Sequence, residues 1–223
     1  MNYTREEILR TLDLAVLKPT ASTGDVIAAA KTVRELGMAS VCVAPANVKM
    51  ARQHTDRVCS VIGFPHGNTL PADKMQEAIN ACENGARELD VVVNYGRLLE
   101  GACGNEEDPE PDWLGLELVM DVAKNYGARV KAILETCYLS PEEIAFACQL
   151  CVLVGVDWVK TSTGFGPGGA TPEAVKIMVK AVQKKAQVKA AGGIKTYADA
   201  CRYLDLGCTR LGVGAASYEG LLP

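Results

Sequence analysis

Short apolar runs alternate with longer amphipathic stretches along the whole chain. The apolar runs fall at residues 12–17, 40–43, 57–64, 88–93 and 129–134. Three more follow: a run ending in Lys160, then 188–190 and 208–213. Each is short and mostly uninterrupted by polar residues, as expected of strands covered on both faces. Between them, apolar residues recur at helical spacing over 23–36, 71–84, 112–126, 141–154, 172–183 and 197–206. Pro45 opens a further helix. Thr4-Arg5-Glu6-Glu7 and Ser140-Pro141-Glu142-Glu143 read as capping boxes, and Thr171 and Thr196 as simple caps. At Gly37, Gly85, Gly127, Gly155 and Gly207 a helical pattern ends, and a strand pattern begins shortly afterwards. Eight strands alternating with helices predict an α/β fold, a (β/α)8 TIM barrel with a short extra N-terminal helix. The rival is an open doubly wound sheet; the even unit length and the count of eight favour the barrel. Residues 215–223 leave little room for a final helix. Either that helix is stunted, or the N-terminal helix covers the last seam.

Composition narrows the function. The 223 residues are 48% hydrophobic and 22% charged, with a net charge of −4. That suits a single domain over 1–223 with a large core. It gives no reason to expect nucleic acid or an anionic membrane as a partner. The polar N-terminus lacks a signal peptide's apolar core, which points to the cytoplasm. The nine cysteines are scattered through apolar segments and read as reduced and buried. Cys148 and Cys151 are formally a C-x-x-C pair. They lie in a helical pattern far from His54 and His66, so they read as core filling, and no metal site is expected. The acidic stretch 101–111 reads as a solvated loop.

The candidate chemistry sits where barrel strands end. Lys160 closes the sixth strand and is followed by Thr161-Ser162-Thr163 and then by glycines from Gly164 to Gly169. Lys189 lies in the neighbouring strand, before Gly192-Gly193. Asp90 interrupts the fourth strand and Asp13 the first. Charged residues inside barrel strands are costly unless paired. The plain alternative is a salt-bridge network that only holds the barrel. Two ammonium groups ~4 Å apart at an effective dielectric of about 20 repel by roughly 4 kcal/mol. That is about 3 pKa units, enough to push one lysine toward the neutral amine, less whatever a nearby aspartate restores. A neutral amine in a dry pocket attacks a carbonyl, and the iminium so formed is an electron sink for cleaving the adjacent carbon–carbon bond. Gly164–Gly169, Gly192-Gly193 and Gly212-Val213-Gly214 follow strands six, seven and eight. Glycine turns at that edge suit phosphate, and Lys195 adds a positive charge.

These segments resemble those of the deoxyribose-phosphate aldolase family, over nearly the whole chain. The resemblance is carried by Lys160 through Thr171, by Val188 through Thr196, and by Glu88 through Asn94. Val61-Ile62-Gly63-Phe64-Pro65, Ser40-Val41-Cys42-Val43 and Leu134-Glu135-Thr136-Cys137 add to it. It implies a class I aldolase that reversibly cleaves 2-deoxy-D-ribose 5-phosphate into D-glyceraldehyde 3-phosphate and acetaldehyde. Lys160 would form the Schiff base, Asp90 and Lys189 would relay protons, and Asp13 would support them. Thr161, Thr163, Gly164, Gly192, Gly193, Lys195, Gly212 and Gly214 would contact the phosphorylated sugar. The family works without a metal or other cofactor and is commonly a dimer or tetramer of one chain. This chain departs from the family pattern after the eighth strand. Val213-Gly214-Ala215 lacks the usual hydroxyls, leaving backbone amides for phosphate. Ala44 and Leu14 replace a common asparagine and histidine, the acidic stretch is longer than usual, and the tail is short, with Tyr218 near its end. Two other readings remain open: a lysine aldolase with a changed acceptor, or a barrel that binds phosphate without catalysis.

Overall fold

Eight parallel strands pair in chain order and close on themselves in a computed structural model that describes residues 3–102 and 113–223. The strands are β1 (Leu12–Val16), β2 (Ser40–Val43), β3 (Val58–Ile62) and β4 (Glu88–Val92), followed by β5 (Arg129–Ile133), β6 (Trp158–Lys160), β7 (Gln187–Ala191) and β8 (Arg210–Gly214). The helices are α1 (Arg5–Leu9), α2 (Thr23–Leu36), α3 (Val48–Arg52), α4 (Pro71–Glu83) and α5 (Tyr95–Ala102), then α6 (Trp113–Tyr126), α7 (Pro141–Val154), α8 (Pro172–Val182) and α9 (Tyr197–Asp205). The fold is the (β/α)8 TIM barrel, and the open-sheet alternative is excluded by the β1–β8 pairing.

The local signals act as their chemistry requires. Thr4, Ser22, Ser140 and Thr196 all form reciprocal capping boxes. The five helix-ending glycines all have positive φ, from 66° at Gly127 to 105° at Gly207, a region a side chain would disfavour. Several boundaries differ from the sequence reading. The apolar stretch before Lys160 is mostly the end of α7, so β6 is only three residues long. Pro45–Asn47 form a 3-10 turn before the short α3. Helix α5 is absent from the sequence reading, although Tyr95, Leu98, Leu99 and Ala102 recur at helical spacing. Asn94 begins it, accepting the Arg97 N–H on its side chain at 3.2 Å. Of the acidic stretch 101–111, the first two residues end α5 and the rest lies outside the described residues.

The chain's ends meet at one seam. The last unit has a 3-10 turn, Tyr218–Leu221, in place of a helix. At the other end, α1 runs straight into β1 and buries Ile8 and Leu9 in the core. The Tyr3 N–H donates to the Tyr197 hydroxyl on α9 at 3.0 Å, and that hydroxyl donates back to the Tyr3 carbonyl at 2.8 Å. Both halves of the sequence expectation therefore hold.

Two apolar regions result from strand alternation. The larger lies between the barrel and its helices and includes Leu89, Val91, Val130, Ala132, Val159 and Leu211. Cys148 and Cys151 belong to it, both fully buried, as core filling requires. The smaller lies inside the barrel: Cys42, Cys59 and Val61, with Ala15, Leu17 and Phe64. Among the other inward positions, six strands carry charge: Asp13 on β1, Glu88 and Asp90 on β4, Lys131 on β5, Lys160 on β6, Lys189 on β7 and Arg210 on β8.

Candidate active site

Register places these charges. Asp90 pairs with Lys131 across β4–β5, Lys160 with Lys189 across β6–β7, Lys189 with Arg210 across β7–β8, and Asp13 with Ser40 across β1–β2. Residues paired in register on parallel strands point to the same face, so all of them crowd the interior. Asp90 is the hub. Its Oδ2 receives both the Lys160 and the Lys189 Nζ at 2.8 Å, and its Oδ1 receives the Lys131 Nζ at 2.7 Å. The Cys59 thiol donates to the same Oδ1 at 3.1 Å. Lys189 also reaches Asp13 at 2.6 Å, and Arg210 reaches Asp13 at 2.9 Å. Lys131 reaches Glu88 at 2.6 Å, and Arg210 and Arg129 close on the same carboxylate. Trp158 lies among the cations, its ring 4.8 Å from the Arg129 guanidinium and 5.2 Å from that of Arg210.

Burial would neutralise isolated charges, but here the partners win. Burial opposes the charge on Asp90, yet Lys131, Lys160 and Lys189 outweigh it and hold the carboxyl well below the ordinary carboxylate range. Asp13 is likewise held low, against burial, by Lys189, Lys131 and Arg210. Lys189 is the lysine of the pair that its surroundings keep charged. Burial works against its ammonium, but Asp13 and Asp90 raise its pKa above the ordinary lysine value. Repulsion from a neighbouring lysine therefore does not neutralise Lys189. Four buried cations, Lys131, Lys160, Lys189 and Arg210, face three buried carboxylates, Asp13, Glu88 and Asp90. Lys131 and Lys189 each touch more than one carboxylate, while Lys160 touches Asp90 alone.

A cavity of about 620 Å³ opens above this network, with Lys160, Lys189, Asp13 and Cys42 reaching it from the barrel. The three glycine turns meet at its edge. Thr163, Gly164, Gly192, Gly193, Lys195, Gly212 and Gly214 all line it. Thr161 does not. Its hydroxyl donates to the Ala191 carbonyl and accepts the Ala191 N–H, both at 3.0 Å, which ties β6 to β7. Its side chain therefore faces the neighbouring strand and not the substrate space. Lys18, Thr20, Asp25 and Ser217 also line the cavity, and none was flagged by the sequence. Ser217 brings a hydroxyl-bearing residue to the cavity three positions after Gly214.

Glycine sets two close approaches. A Cβ on Gly169 would lie 2.4 Å from the Gly192 carbonyl oxygen, so only glycine lets the turns after β6 and β7 touch. A Cβ on Gly212 would lie 2.8 Å from the Ala191 Cβ and 3.2 Å from the Lys189 Cε. Gly212 thus makes room for the Lys189 side chain. Gly212→Ala is expected to displace Lys189 and lower kcat by roughly tenfold to a hundredfold, the usual result of an ångström-scale misplacement. Steady-state kinetics beside a thermal melt would check this, since the fold itself should survive.

Charges inside strands identified Asp13 and Asp90. The same criterion applies to Lys131, Glu88 and Arg210, and strand alternation would have found them. Glu135 follows β5 and gave no such signal. It is 2% exposed, and its backbone is left-handed, with φ 52° and ψ 60°, a strained state for a non-glycine residue. Its carboxylate accepts the Thr163 N–H at 3.2 Å and also the Thr163 hydroxyl. As for metals, Cys42, Cys59 and Asp90 bring their donor atoms within 4.8 Å of one another. Both Asp90 oxygens are already engaged by lysines, so this set does not fit a cation.

A family model described as DeoC/LacD family aldolase matches residues 9–212. The deoxyribose-phosphate aldolase of Carboxydothermus hydrogenoformans is 44% identical over 97% of this chain and 96% of its own. That of Thermococcus kodakarensis is 43% identical over 95% and 94%. The tetrameric deoxyribose phosphate aldolase of Aeropyrum pernix superposes with a TM-score of 0.85 at 28% identity, covering 98% of this chain and 91% of that one.

Proposed function

The chain belongs to the DeoC/LacD family of aldolases, and from that membership we propose that it is a class I lyase which reversibly cleaves 2-deoxy-D-ribose 5-phosphate into D-glyceraldehyde 3-phosphate and acetaldehyde. The observation that carries the mechanism is the sharing of one Asp90 oxygen by Lys160 and Lys189 at the floor of the cavity. Lys160 has a single carboxylate partner, Asp90, and opens to the cavity, so it is the lysine placed to act as the amine.

The Lys160 amine attacks the substrate's aldehyde carbon. Lys189, held protonated by Asp13 and Asp90, gives the proton that removes the carbinolamine hydroxyl as water and leaves the iminium. The 3-hydroxyl then loses its proton to the neutral Lys189. The C2–C3 bond breaks, its electron pair enters the iminium to form an enamine, and D-glyceraldehyde 3-phosphate leaves. The enamine carbon takes a proton back from the Lys189–Asp90 pair. Water hydrolyses the new iminium, releasing acetaldehyde and restoring the amine. Every step uses side chains alone, with no metal or other cofactor. Asp13 and Arg210 fix Lys189 and Asp90 without touching substrate.

The phosphate lies at the glycine edge, facing Gly192, Gly193, Gly214, Lys195 and Ser217. Ser217 supplies the hydroxyl missing after Gly212, which favours the phosphate ester over an unphosphorylated sugar. A coupled assay comparing 2-deoxyribose 5-phosphate with 2-deoxyribose tests this; preference for the free sugar would reject the phosphate reading. Ser217→Ala is expected to raise KM for the ester about tenfold, the loss of one hydrogen bond to a charged group, with the free sugar unaffected.

The enzyme in this reading is cytoplasmic and a dimer or tetramer of one chain. Eight free cysteines among the described residues, most of them buried, suit a reducing compartment. No described helix is long and apolar enough to cross a membrane. On the outer face of α7, Leu153 is 81% and Phe146 39% exposed, an uncharged stripe suited to a second copy.

A further inference from the structure

Glu135 takes no part in the scheme above, yet it is a buried carboxylate beside the cavity. No cation among the described residues pairs with it. A buried charge without a counter-ion is costly unless hydrogen bonds replace the lost water. Its strong donors both belong to Thr163, the N–H and the hydroxyl. The Cys137 thiol approaches only to 3.9 Å. The backbone around Glu135 is tied to the same segment. The Leu134 N–H donates to the Lys160 carbonyl at 3.0 Å and the Thr136 N–H to the Thr161 carbonyl at 2.9 Å. The β5–α7 connection thus runs alongside the segment that carries Lys160, and the left-handed turn at Glu135 aims its carboxylate at Thr163.

The consequence falls on the Thr163 oxygen. Its proton is committed to Glu135, and one lone pair accepts the Phe165 N–H at 3.0 Å. One lone pair remains, on a side chain that lines the cavity. Thr163 is therefore an acceptor toward ligand and not a donor. Donation to an ionised carboxylate also strengthens that oxygen as an acceptor, because hydrogen bonds in a chain polarise one another. Such an oxygen, on a residue that lines the same cavity as Lys160, suits a substrate hydroxyl that keeps its proton through cleavage, and 2-deoxyribose 5-phosphate has one at C4.

We propose that Glu135 is a positioning residue for the cleavage step. Through Thr163, it aims and polarises the oxygen that accepts the substrate's C4 hydroxyl. The inference rests on the aldolase reading and deepens it. It also separates two reactions of one enzyme. Exchange of acetaldehyde's methyl protons with solvent needs the Lys160 iminium and enamine and the Lys189–Asp90 proton relay. Cleavage needs the sugar placed through its C4 hydroxyl as well.

The test measures both on one set of variants: deuterium entry into acetaldehyde by NMR, and cleavage of 2-deoxyribose 5-phosphate by coupled assay. In Glu135→Gln the side-chain amide can accept from only one Thr163 donor and opposes the other. In Thr163→Val the acceptor is gone. Both variants are expected to lose about tenfold more in cleavage than in exchange, the effect of one charge-assisted contact. Thr163→Ser, which keeps the hydroxyl, should recover most of the cleavage lost in Thr163→Val. Equal losses in the two reactions would overturn the proposal, because Glu135 would then merely hold the loop for Lys160. No loss in either would overturn it as well. Should Glu135→Gln fail to fold, by circular dichroism, the valine and serine variants decide on the same criterion. If the unsubstituted protein exchanges no deuterium, the aldolase reading falls and this inference with it; exchange without a cleavage split overturns the inference alone.

Discussion

Lys160→Ala should abolish aldol cleavage, lowering kcat by on the order of 10⁴- to 10⁶-fold, as removal of a covalent nucleophile does. Borohydride added with acetaldehyde should fix one ethyl group on Lys160 of the unsubstituted protein and none on the variant, read by peptide mass. The size of the effect follows from the chemistry. Without the amine there is no iminium at this position to take the electron pair of the breaking carbon–carbon bond. Lys189 cannot substitute for it. It is bound by Asp13 at 2.6 Å and Asp90 at 2.8 Å, and those carboxylates hold it protonated. An ammonium has no lone pair to attack with. A variant that kept a tenth of the activity would place the nucleophile elsewhere. The variant should fold, because Asp90 keeps Lys131 and Lys189 as partners.

Asp90→Asn should be the more damaging change to the protein as a whole. It leaves Lys131, Lys160 and Lys189 with an amide where each had a carboxylate. Breaking a buried ion pair from one side costs about 3–5 kcal/mol, since the remaining charge is left uncompensated. Activity should fall by roughly 10²- to 10⁴-fold through loss of the proton relay. The pH dependence separates this from simple misfolding. The folded-state pKa of Asp90 lies well below the ordinary value. Its contribution is thus fully present above the unfolded pKa of about 4, and is lost as pH falls through the lower folded value. The stability gap between the two proteins, from urea melts, should therefore be constant above pH ~5 and shrink in stronger acid. A gap that widened in acid would contradict the ion-pair account.

The fold was legible because every level of the sequence agreed. Strand lengths, caps at Thr4, Ser140, Thr171 and Thr196, and glycines at helix ends all pointed to one repeating unit. The hidden part was α5, whose apolar period of Tyr95, Leu98, Leu99 and Ala102 lasts only two turns beside the acidic stretch. In the site, charge inside strands exposed Asp13 and Asp90. Lys131, Glu88 and Arg210 obey the same rule, and strand alternation turns them to the same interior. Lys189 shows the limit of pairwise reasoning. A lysine beside a lysine should lose its proton, yet two carboxylates from distant strands reverse the sign. Thr161 and Thr163 are two residues apart in one motif, and only the structure gives one to the neighbouring strand and the other to the cavity. Glu135 and Ser217 depend on loop geometry that no periodicity encodes.

The seam between the first and last strands bears on how the enzyme is made. Asp13 and Arg210 are 197 positions apart, and Arg210 Nε still lies 3.1 Å from the Asp13 carboxylate. Lys189 takes one of its two anionic partners from the first strand and the other from the fourth. A chain leaving the ribosome cannot form these contacts until its last strand is free to pair, and pairing so distant in sequence is slow. The amine chemistry therefore has no precursor in any partial chain. Nascent and truncated polypeptides carry the lysine without the surroundings that make it an aldolase, and turnover reports that biosynthesis has run to its end.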